Sequence, residues 1–154
     1  DVVADFTTGI FRAAGMPIEQ VKDVHSYDYR EVFEFKPVWD RVKDNEAFWL
    51  DLPALESVVP LACVCWLTSR HASEEITRRW LDMKGLRSMP IHYSHKKTED
   101  ALALGCTGIV DDKAEDFVQA VSVLPDSFLV SRPWNRSVNT SRRIYRLEEI
   151  EWRV

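Results

Sequence analysis

The chain has 154 residues, of which 45% are hydrophobic and 29% are charged, and its formal net charge is -5. This length fits one domain with a substantial core, and the balance of apolar and charged residues excludes an intrinsically disordered chain. The acidic character argues against binding to duplex nucleic acid, because the phosphate backbone favours a basic surface, but it allows a locally basic pocket for a nucleotide.

The cysteines and the apolar runs predict the cellular compartment of the protein. Cys63, Cys65 and Cys106 are odd in number, and two of them lie in one apolar run, which favours reduced thiols over a disulfide framework. A zinc site is disfavoured, because the C-x-C pair has no second pair and no His at zinc spacing. The longest apolar run, Val58–Leu67, is interrupted by Pro60 and is too short to cross a bilayer. Since no signal peptide is evident, we expect a cytoplasmic protein without membrane contact.

The first fifteen residues predict a helix that is not preceded by a strand. Gly15 is a suitable stop for this helix, and the chain begins as if a strand and a turn lay before Asp1. The apolar residues that recur at helical spacing are Phe6, Ile10, Phe11 and Ala14.

Residues 16–57 predict a helical region rich in aromatic side chains. Pro17 suits a first helical turn, Pro37 suits the start of another helix, and Asp51–Pro53 breaks the pattern. We expect most of the aromatic rings to fill a small core, and the alternative is that two or three line a pocket for a flat ring. The rings in question are Tyr27, Tyr29, Phe33, Phe35, Trp39, Phe48 and Trp49.

After Pro60 the sequence alternates between predicted strands and predicted helices. Leu61–Leu67 predicts a strand that is buried on both faces and is followed by a polar loop. Ser73–Gly85 then predicts a helix, with Ser73 as its N-cap and Gly85 as its stop. A strand followed by such a helix is typical of a crossover in a parallel sheet.

The same alternation continues to the end of the chain. Met89–Tyr93 predicts a second strand, and Cys106–Val110 predicts a third strand after a helix over residues 98–105. Phe128–Val130 predicts a fourth strand, and residues 142–154 predict an edge strand and a short helix. We therefore predict an α/β fold with a parallel sheet.

Polar side chains follow three of the predicted strands or begin the next helix. They are Thr68, Lys97 and the adjacent Asp111 and Asp112. The carboxyl ends of parallel strands form the ligand crevice, where carboxylates suit Mg²⁺ and a hydroxyl and an ammonium suit phosphoryl oxygens. Each residue alone has an ordinary alternative: a cap or turn for Thr68 and the aspartates, a solvated charge for Lys97, and a surface ion pair for Arg70.

In this order, the three segments resemble motifs of the haloacid dehalogenase-like phosphohydrolases. CVCWLTSR (63–70) resembles their second motif, Lys97 in HKKTEDALALG (95–105) is similar to the third, and IVDDKAED (109–116) resembles the fourth. The resemblance covers nearly the whole chain. Its order also differs from that of response-regulator receivers, in which the acids precede the Thr and the Lys.

Within that superfamily, three further segments are similar to the 5'(3')-deoxyribonucleotidase group and related bacterial or phage nucleotidases. DVVADF (1–6) resembles the tail of the first motif, NEAFWLDLPAL (45–55) resembles the segment before the second strand, and FLVSRPWNRS (128–137) resembles a late strand with its loop. The resemblance implies a single domain, residues 1–154, with a three-layer Rossmann-like parallel sheet. Residues 58–154 would form its core, residues 1–15 would contribute its start, and residues 16–57 would form a small helical cap.

The resemblance also implies an Mg²⁺-dependent phosphomonoesterase, a 5'-nucleotidase that hydrolyses (deoxy)nucleoside monophosphates through a phospho-aspartate intermediate. The substrate would be a small phosphorylated molecule, and the oligomeric state stays open, with a homodimer among the alternatives. The implied roles are metal binding for Asp111 and Asp112, catalysis for Thr68 and Lys97, and substrate binding for Ser69, Arg70, Phe48 and Trp49, the last two as contacts to the base.

The chain departs from the family in its first motif, Asp-x-Asp on the central strand, whose first aspartate attacks phosphorus and whose second protonates the leaving group. The best register places both aspartates before Asp1, and a rival register makes Asp1 itself one of them. Loss of a central strand would expose a large apolar face, so we expect this strand to precede Asp1 in the protein. The open alternatives are a phosphatase for sugar phosphates or polynucleotide ends, and a non-catalytic phosphate-binding module.

Overall fold

The computed structural model describes residues 2–26, 29 and 31–150. The expectations for Asp1, for Tyr27 and for the end of the tail fall outside these residues. The helices are α1 (Phe6–Ala14), α2 (Phe35–Val42), α3 (Glu46–Asp51), α4 (Glu74–Met83), α5 (Lys97–Ala103) and α6 (Ala114–Val121). The strands are β1 (Trp66–Thr68), β2 (Ile91–Tyr93), β3 (Val110–Asp111), β4 (Phe128–Val130) and β5 (Arg143–Ile144). Short 3-10 helices lie at Ile18–Asp23, Pro133–Asn135 and Leu147–Glu149.

Local capping chemistry sets the ends of α1. The Asp5 side chain accepts a hydrogen bond from the backbone N–H of Thr8 at 2.9 Å, which satisfies a free donor of the first turn. Gly15 follows the helix at φ 70°, and its N–H donates to the carbonyl of Arg12. The predicted helix and its stop are confirmed.

The helices predicted at Pro37, at Ser73–Gly85 and at residues 98–105 agree with α2, α4 and α5 to within two residues. Ser73 caps α4, where its hydroxyl accepts from the N–H of Ile76 at 3.3 Å, and Gly85 follows the helix at φ 66°. Pro37 lies in the first turn of α2, which begins two residues earlier, at Phe35. A proline is tolerated there because the first N–H groups of a helix have no partner within it.

The fold is mixed α/β with parallel strands, as predicted, but the described strands form two sheets rather than one. β1 pairs with β2 with Trp66 opposite Ile91. β4 lies between β3 and β5, with Val110 opposite Phe128 and Leu129 opposite Arg143. The β1–β2 sheet and the β3–β4–β5 sheet are therefore separate units of the core.

The prediction of a doubly buried strand at Leu61–Leu67 is wrong. Leu61 is 86% exposed and Val64 is 60% exposed, and only Trp66–Thr68 is extended and paired. A turn closed by the N–H of Cys63 and the carbonyl of Pro60 occupies the start of the run. The apolar composition of this run predicts burial, but the described residues leave Leu61 and Val64 exposed.

The remaining strand predictions differ in length. The second strand begins at Ile91 rather than Met89, and the third strand is confined to Val110–Asp111 rather than Cys106–Val110. The fourth strand is confirmed at Phe128–Val130. β5 and the 3-10 helix at Leu147–Glu149 confirm the predicted edge strand and short helix.

The core combines aromatic side chains of the helical region with α4 and with buried residues of β2, β4 and β5. Trp80 is fully buried, and its indole N–H donates to the carbonyl of Leu52 at 2.8 Å. The Gly9 backbone packs so closely on Leu52 that a Cβ there would lie 2.3 Å from the leucine Cδ2. The predicted aromatic core is present, since Phe6 contacts Tyr29, Trp39, Phe48 and Trp49. The division into cap and core stays a prediction.

Within the described residues, no helix combines the length and apolar character needed to cross a membrane. The cytoplasmic location stays a prediction. Cys63, Cys65 and Cys106 are free thiols in the structure.

Candidate functional site

A cavity of about 710 Å³ lies between the two sheets. In the described part of the chain β1 pairs only with β2, and β3 pairs only with β4, so each strand has one unpaired edge. Both strands line the cavity, whose wall includes Trp66, Leu67, Ile109 and Val110. The opening of a sheet at this point leaves apolar side chains around a space that can admit a ligand or another strand.

Seven of the eight residues predicted for the site line this cavity. They are Trp49, Thr68, Ser69, Arg70, Lys97, Asp111 and Asp112. Phe48 lies behind Trp49, with ring centroids 5.1 Å apart, and does not line the cavity. The fold thus brings together residues as distant in sequence as Trp49 and Asp112.

Thr68 ends β1 and begins the polar loop. Its hydroxyl oxygen accepts a hydrogen bond from the backbone N–H of Arg70 at 3.2 Å, which fixes the turn. Its carbonyl accepts from the N–H of Ser94 at 2.9 Å, which holds the end of β1 against the loop after β2. Because the hydroxyl accepts from Arg70, its own proton can be donated to another group.

Lys97 and Asp111 form the most buried ion pair of the cavity. The Lys97 Nζ lies 2.6 Å from Asp111 Oδ2 and 3.5 Å from Asp116 Oδ2, and the Lys97 and Asp111 side chains are only 17% and 4% exposed. Lys97 begins α5 and Asp111 ends β3, so the pair joins two elements across the loop region. Burial disfavours the ammonium, but the carboxylates of Asp111 and Asp116 outweigh it and hold the pKa of Lys97 above its ordinary value.

Asp111 and Asp112 are held differently although they are adjacent. The second oxygen of Asp111, Oδ1, accepts from the N–H of Lys113 at 3.0 Å, so both of its oxygens have protein partners. Asp112 Oδ2 accepts from the indole N–H of Trp134 at 3.2 Å. The pair therefore divides into one carboxylate engaged by Lys97 and one held by an indole.

Asn135 fixes this turn from behind. Its side-chain amide donates to the carbonyls of Asp112 and Val130, each at 2.8 Å, and its carbonyl oxygen accepts from Arg143 at 2.8 Å. Asn135 is completely buried, so it ties the end of β3 to the end of β4 without contacting solvent. The role of Trp134 and Asn135 in holding this turn was not predicted, although a Pro-Trp-Asn sequence directly after a strand was the available signal.

The guanidinium of Arg70 contacts two indole rings. Its guanidinium carbon is 5.2 Å from the ring centroid of Trp49 and 5.3 Å from that of Trp80. Its Nη2 is buried and has no hydrogen-bond partner among the described residues. Burial lowers the pKa of the guanidinium to about 10, which leaves Arg70 cationic at neutral pH.

The side chains of Asp111 and Asp112 fit Mg²⁺ better than a metal ion that takes all of its ligands from the protein. In the described ranges, no cluster of three or more His, Cys, Asp or Glu side chains is arranged to hold a metal ion. Mg²⁺ needs only one or two protein carboxylates, because it keeps several waters and takes phosphate oxygens as further ligands. Asp112, with Asp111 beside it, satisfies that smaller requirement.

Comparison with known proteins adds no relative. No protein-family model matches the chain, and a search of curated proteins finds no similar sequence.

Proposed function

We propose that this chain is a haloacid dehalogenase-like phosphohydrolase that hydrolyses phosphomonoesters, with nucleoside monophosphates as its substrates and Mg²⁺ as its cofactor. One observation supports this function above the others. Thr68 at the end of β1, Lys97 at the start of α5, and Asp111 and Asp112 at the end of β3 all line one cavity. This is the combination of hydroxyl, ammonium and carboxylates that phosphoryl transfer uses.

The same proposal accounts for the two sheets. A parallel strand in the cavity would pair with the free edges of β1 and β3 and would join the sheets in the order β2, β1, new strand, β3, β4, β5, which is a Rossmann-like sheet. The apolar wall of the cavity supports this arrangement, because a central strand is buried on both faces. The family resemblance assigns that position to the strand with the Asp-x-Asp motif.

The residues of this chain would act on the phosphoryl group in distinct ways. The Thr68 hydroxyl would donate to a phosphoryl oxygen, and Lys97 would hold Asp111 in place through the 2.6 Å ion pair. Asp112 would hold Mg²⁺, which when bound would offset the negative charge of the phosphoryl group. Trp134 and Asn135 would keep the Asp111–Asp112 turn fixed through the hydrogen bonds described above.

The chemistry of the family divides the reaction into two displacements. A carboxylate oxygen attacks phosphorus and the bond to the ester oxygen breaks, while the second aspartate gives its proton to the leaving oxygen. Water then attacks the acyl phosphate and releases inorganic phosphate.

The nucleoside part of the proposal rests on the resemblance and on Trp49. The Trp49 ring lines the cavity, and its indole N–H donates to the carbonyl of Lys43 at 2.8 Å, which fixes the ring. Phe48 supports Trp49 from outside the cavity, so it would act on the base through Trp49 rather than by direct contact.

The test is release of inorganic phosphate by the protein from a panel of substrates. The panel contains deoxynucleoside and nucleoside monophosphates, sugar phosphates and 3'-phosphorylated oligonucleotides, each with Mg²⁺ and with EDTA. We expect Mg²⁺-dependent turnover that is fastest with a nucleoside monophosphate. Faster turnover of sugar phosphates or oligonucleotide ends than of nucleoside monophosphates would reject the nucleotidase proposal and retain the phosphatase proposal. Absence of turnover on the whole panel would reject both proposals.

A further inference from the structure

The lining of the cavity includes three rings that belong to neither sheet. They are Phe35, Trp39 and His71, here called the aromatic wall. Phe35 and Trp39 belong to α2, and His71 lies in the loop beyond the end of β1. A strand that pairs with β1 and β3 would run alongside those two strands, so the proposed function leaves the aromatic wall open to a ligand.

The rings of the aromatic wall pack against one another. Those of Phe35 and Trp39 are stacked, with centroids 5.8 Å apart and an interplanar angle of 16°. The His71 ring meets the Trp39 ring edge-on, with centroids 5.6 Å apart at 72°. Trp49 also contacts Trp39, but Trp49 is only 2% exposed, whereas Phe35 and Trp39 are partly exposed. The wall therefore offers a flat apolar surface on which a planar ring can stack.

Trp39 carries a hydrogen-bond donor that the described protein does not use. The other described indoles each donate to a protein oxygen, namely those of Trp49, Trp66, Trp80 and Trp134. No hydrogen bond joins the indole N–H of Trp39 to another described residue. Because Trp39 is partly exposed and lines the cavity, its N–H is available to a bound molecule.

His71 carries the matching acceptor. Its Nε2 lies 3.1 Å from Oδ1 of Asp44, whose exposed carboxylate does not line the cavity. An ionised carboxylate only accepts hydrogen bonds, so Nε2 holds the proton of the neutral imidazole and Nδ1 keeps its lone pair. No described residue donates to Nδ1. Trp39 and His71 thus present one donor and one acceptor on two rings in contact.

This combination suits a nucleobase. Every base has a flat face that stacks on aromatic side chains, and its edge carries donors and acceptors that form hydrogen bonds with protein groups. An acceptor of the base would receive the N–H of Trp39, and a donor of the base would bond to Nδ1 of His71. A sugar phosphate has hydroxyl groups but no flat face, so it would gain little from the wall.

We propose that Trp39 and His71, the latter held by Asp44, form the specificity site that recognises the base of the substrate. This inference rests on the proposed function and deepens it, since it states which groups distinguish a nucleoside monophosphate from a sugar phosphate. It implies that the protein binds a nucleoside that has no phosphate, and that it does so without Mg²⁺.

The experiment is equilibrium dialysis of the protein at pH 7 in EDTA. The ligands are adenosine, guanosine, cytidine and uridine, with ribose as the ligand that lacks a base. We expect at least one nucleoside to bind at concentrations where ribose does not. The nucleoside with the highest affinity is then used to compare the variants.

Trp39→Phe and His71→Phe each keep an aromatic ring in the wall and remove one hydrogen-bonding group. The control is His25→Phe, because His25 is an exposed histidine that does not line the cavity. We expect the dissociation constant to rise about tenfold in Trp39→Phe and in His71→Phe, and to stay unchanged in His25→Phe.

Circular dichroism establishes that each variant is folded, and if Trp39→Phe does not fold, His71→Phe decides. Unchanged affinity in either folded wall variant would overturn the inference. Absence of nucleoside binding by the wild type, or affinity for ribose equal to that for the nucleosides, would overturn it as well. The proposed function is tested separately by the hydrolysis assay, because the dialysis contains neither Mg²⁺ nor a phosphate ester.

Discussion

The ion pair of Lys97 and Asp111 gives the sharpest prediction on stability. Its 2.6 Å contact is largely buried, with 17% and 4% of the two side chains exposed. Breaking a buried pair by removing one partner costs about 3–5 kcal/mol, because the other charge is left uncompensated. In Asp111→Asn the Lys97 ammonium still has the Asp116 carboxylate, 3.5 Å away, as a counter-ion. We therefore expect a smaller loss of unfolding free energy, about 2–3 kcal/mol.

Lys97→Met should be the more damaging change. It leaves the carboxylates of Asp111, Asp112 and Asp116 together without the ammonium, so we expect a loss of about 3–5 kcal/mol. The double variant Lys97→Met, Asp111→Asn removes the ammonium and the carboxylate together, so neither charge is left without the other. Its destabilisation should be smaller than the sum of the two single changes by at least about 2 kcal/mol.

Urea unfolding at pH 7, followed by circular dichroism, measures all four proteins of this cycle. The exposed pair of Lys36 and Asp40 is the control, since both side chains are more than 40% exposed. The same cycle on this pair should give an interaction free energy of about 0–1 kcal/mol. Equal and additive losses for Lys97→Met and Asp111→Asn would refute the description of this contact as a buried, coupled pair.

The pH dependence follows from the direction of the Lys97 shift. Its pKa is raised in the folded protein, so its stabilisation is fully present below the ordinary lysine value, about 10.4, and is lost as the pH rises through the folded pKa. The stability difference between wild type and Lys97→Met should therefore be constant from pH 7 to about pH 10 and should shrink above it. A difference that shrinks between pH 7 and 9 would contradict this assignment.

Two further predictions concern the scaffold. A Cβ on Gly108 would lie 2.1 Å from the carbonyl oxygen of Asp126, so Gly108→Ala should lower the unfolding free energy by about 3 kcal/mol in a urea titration, and a loss within error of zero would contradict the close contact. Tyr29→Phe removes the 3.0 Å bond to Thr7 and should cost about 1 kcal/mol at pH 7. Burial raises the pKa of Tyr29, so wild type alone loses this contribution above about pH 10, and the difference from Tyr29→Phe should shrink there.

Features set by neighbouring residues were predictable from the sequence. The ends of α1 and α4 depend on Asp5, Gly15 and Ser73, which act on backbone groups a few residues away. The predicted and observed bounds of β4 are the same, because its apolar residues are bounded by turn residues on both sides. The proximity of Thr68, Lys97, Asp111 and Asp112 was also predictable, since polar residues after parallel strands meet at one edge of a sheet, whereas their roles stay predictions.

Features that depend on distant partners were not predictable. The run Leu61–Leu67 has the composition of a buried strand, but its burial requires a neighbour that the described residues do not supply. Lys97 and Asp111 were predicted to have separate roles, and only the tertiary structure pairs them. The contact of Arg70 with Trp49 and Trp80 likewise depends on three segments that come together in the fold.

The most direct test of phosphoryl transfer at this cavity is the effect of Asp112→Asn on turnover. Asparagine keeps an oxygen that can accept from the indole N–H of Trp134, so the substitution removes charge with little change in packing. The measurement is Mg²⁺-dependent release of phosphate from a nucleoside monophosphate, with the exposed Asp82→Asn as the matched control. We predict a loss of about a hundredfold or more in kcat for Asp112→Asn and none for Asp82→Asn. Equal turnover by wild type and Asp112→Asn would contradict the assignment of this site.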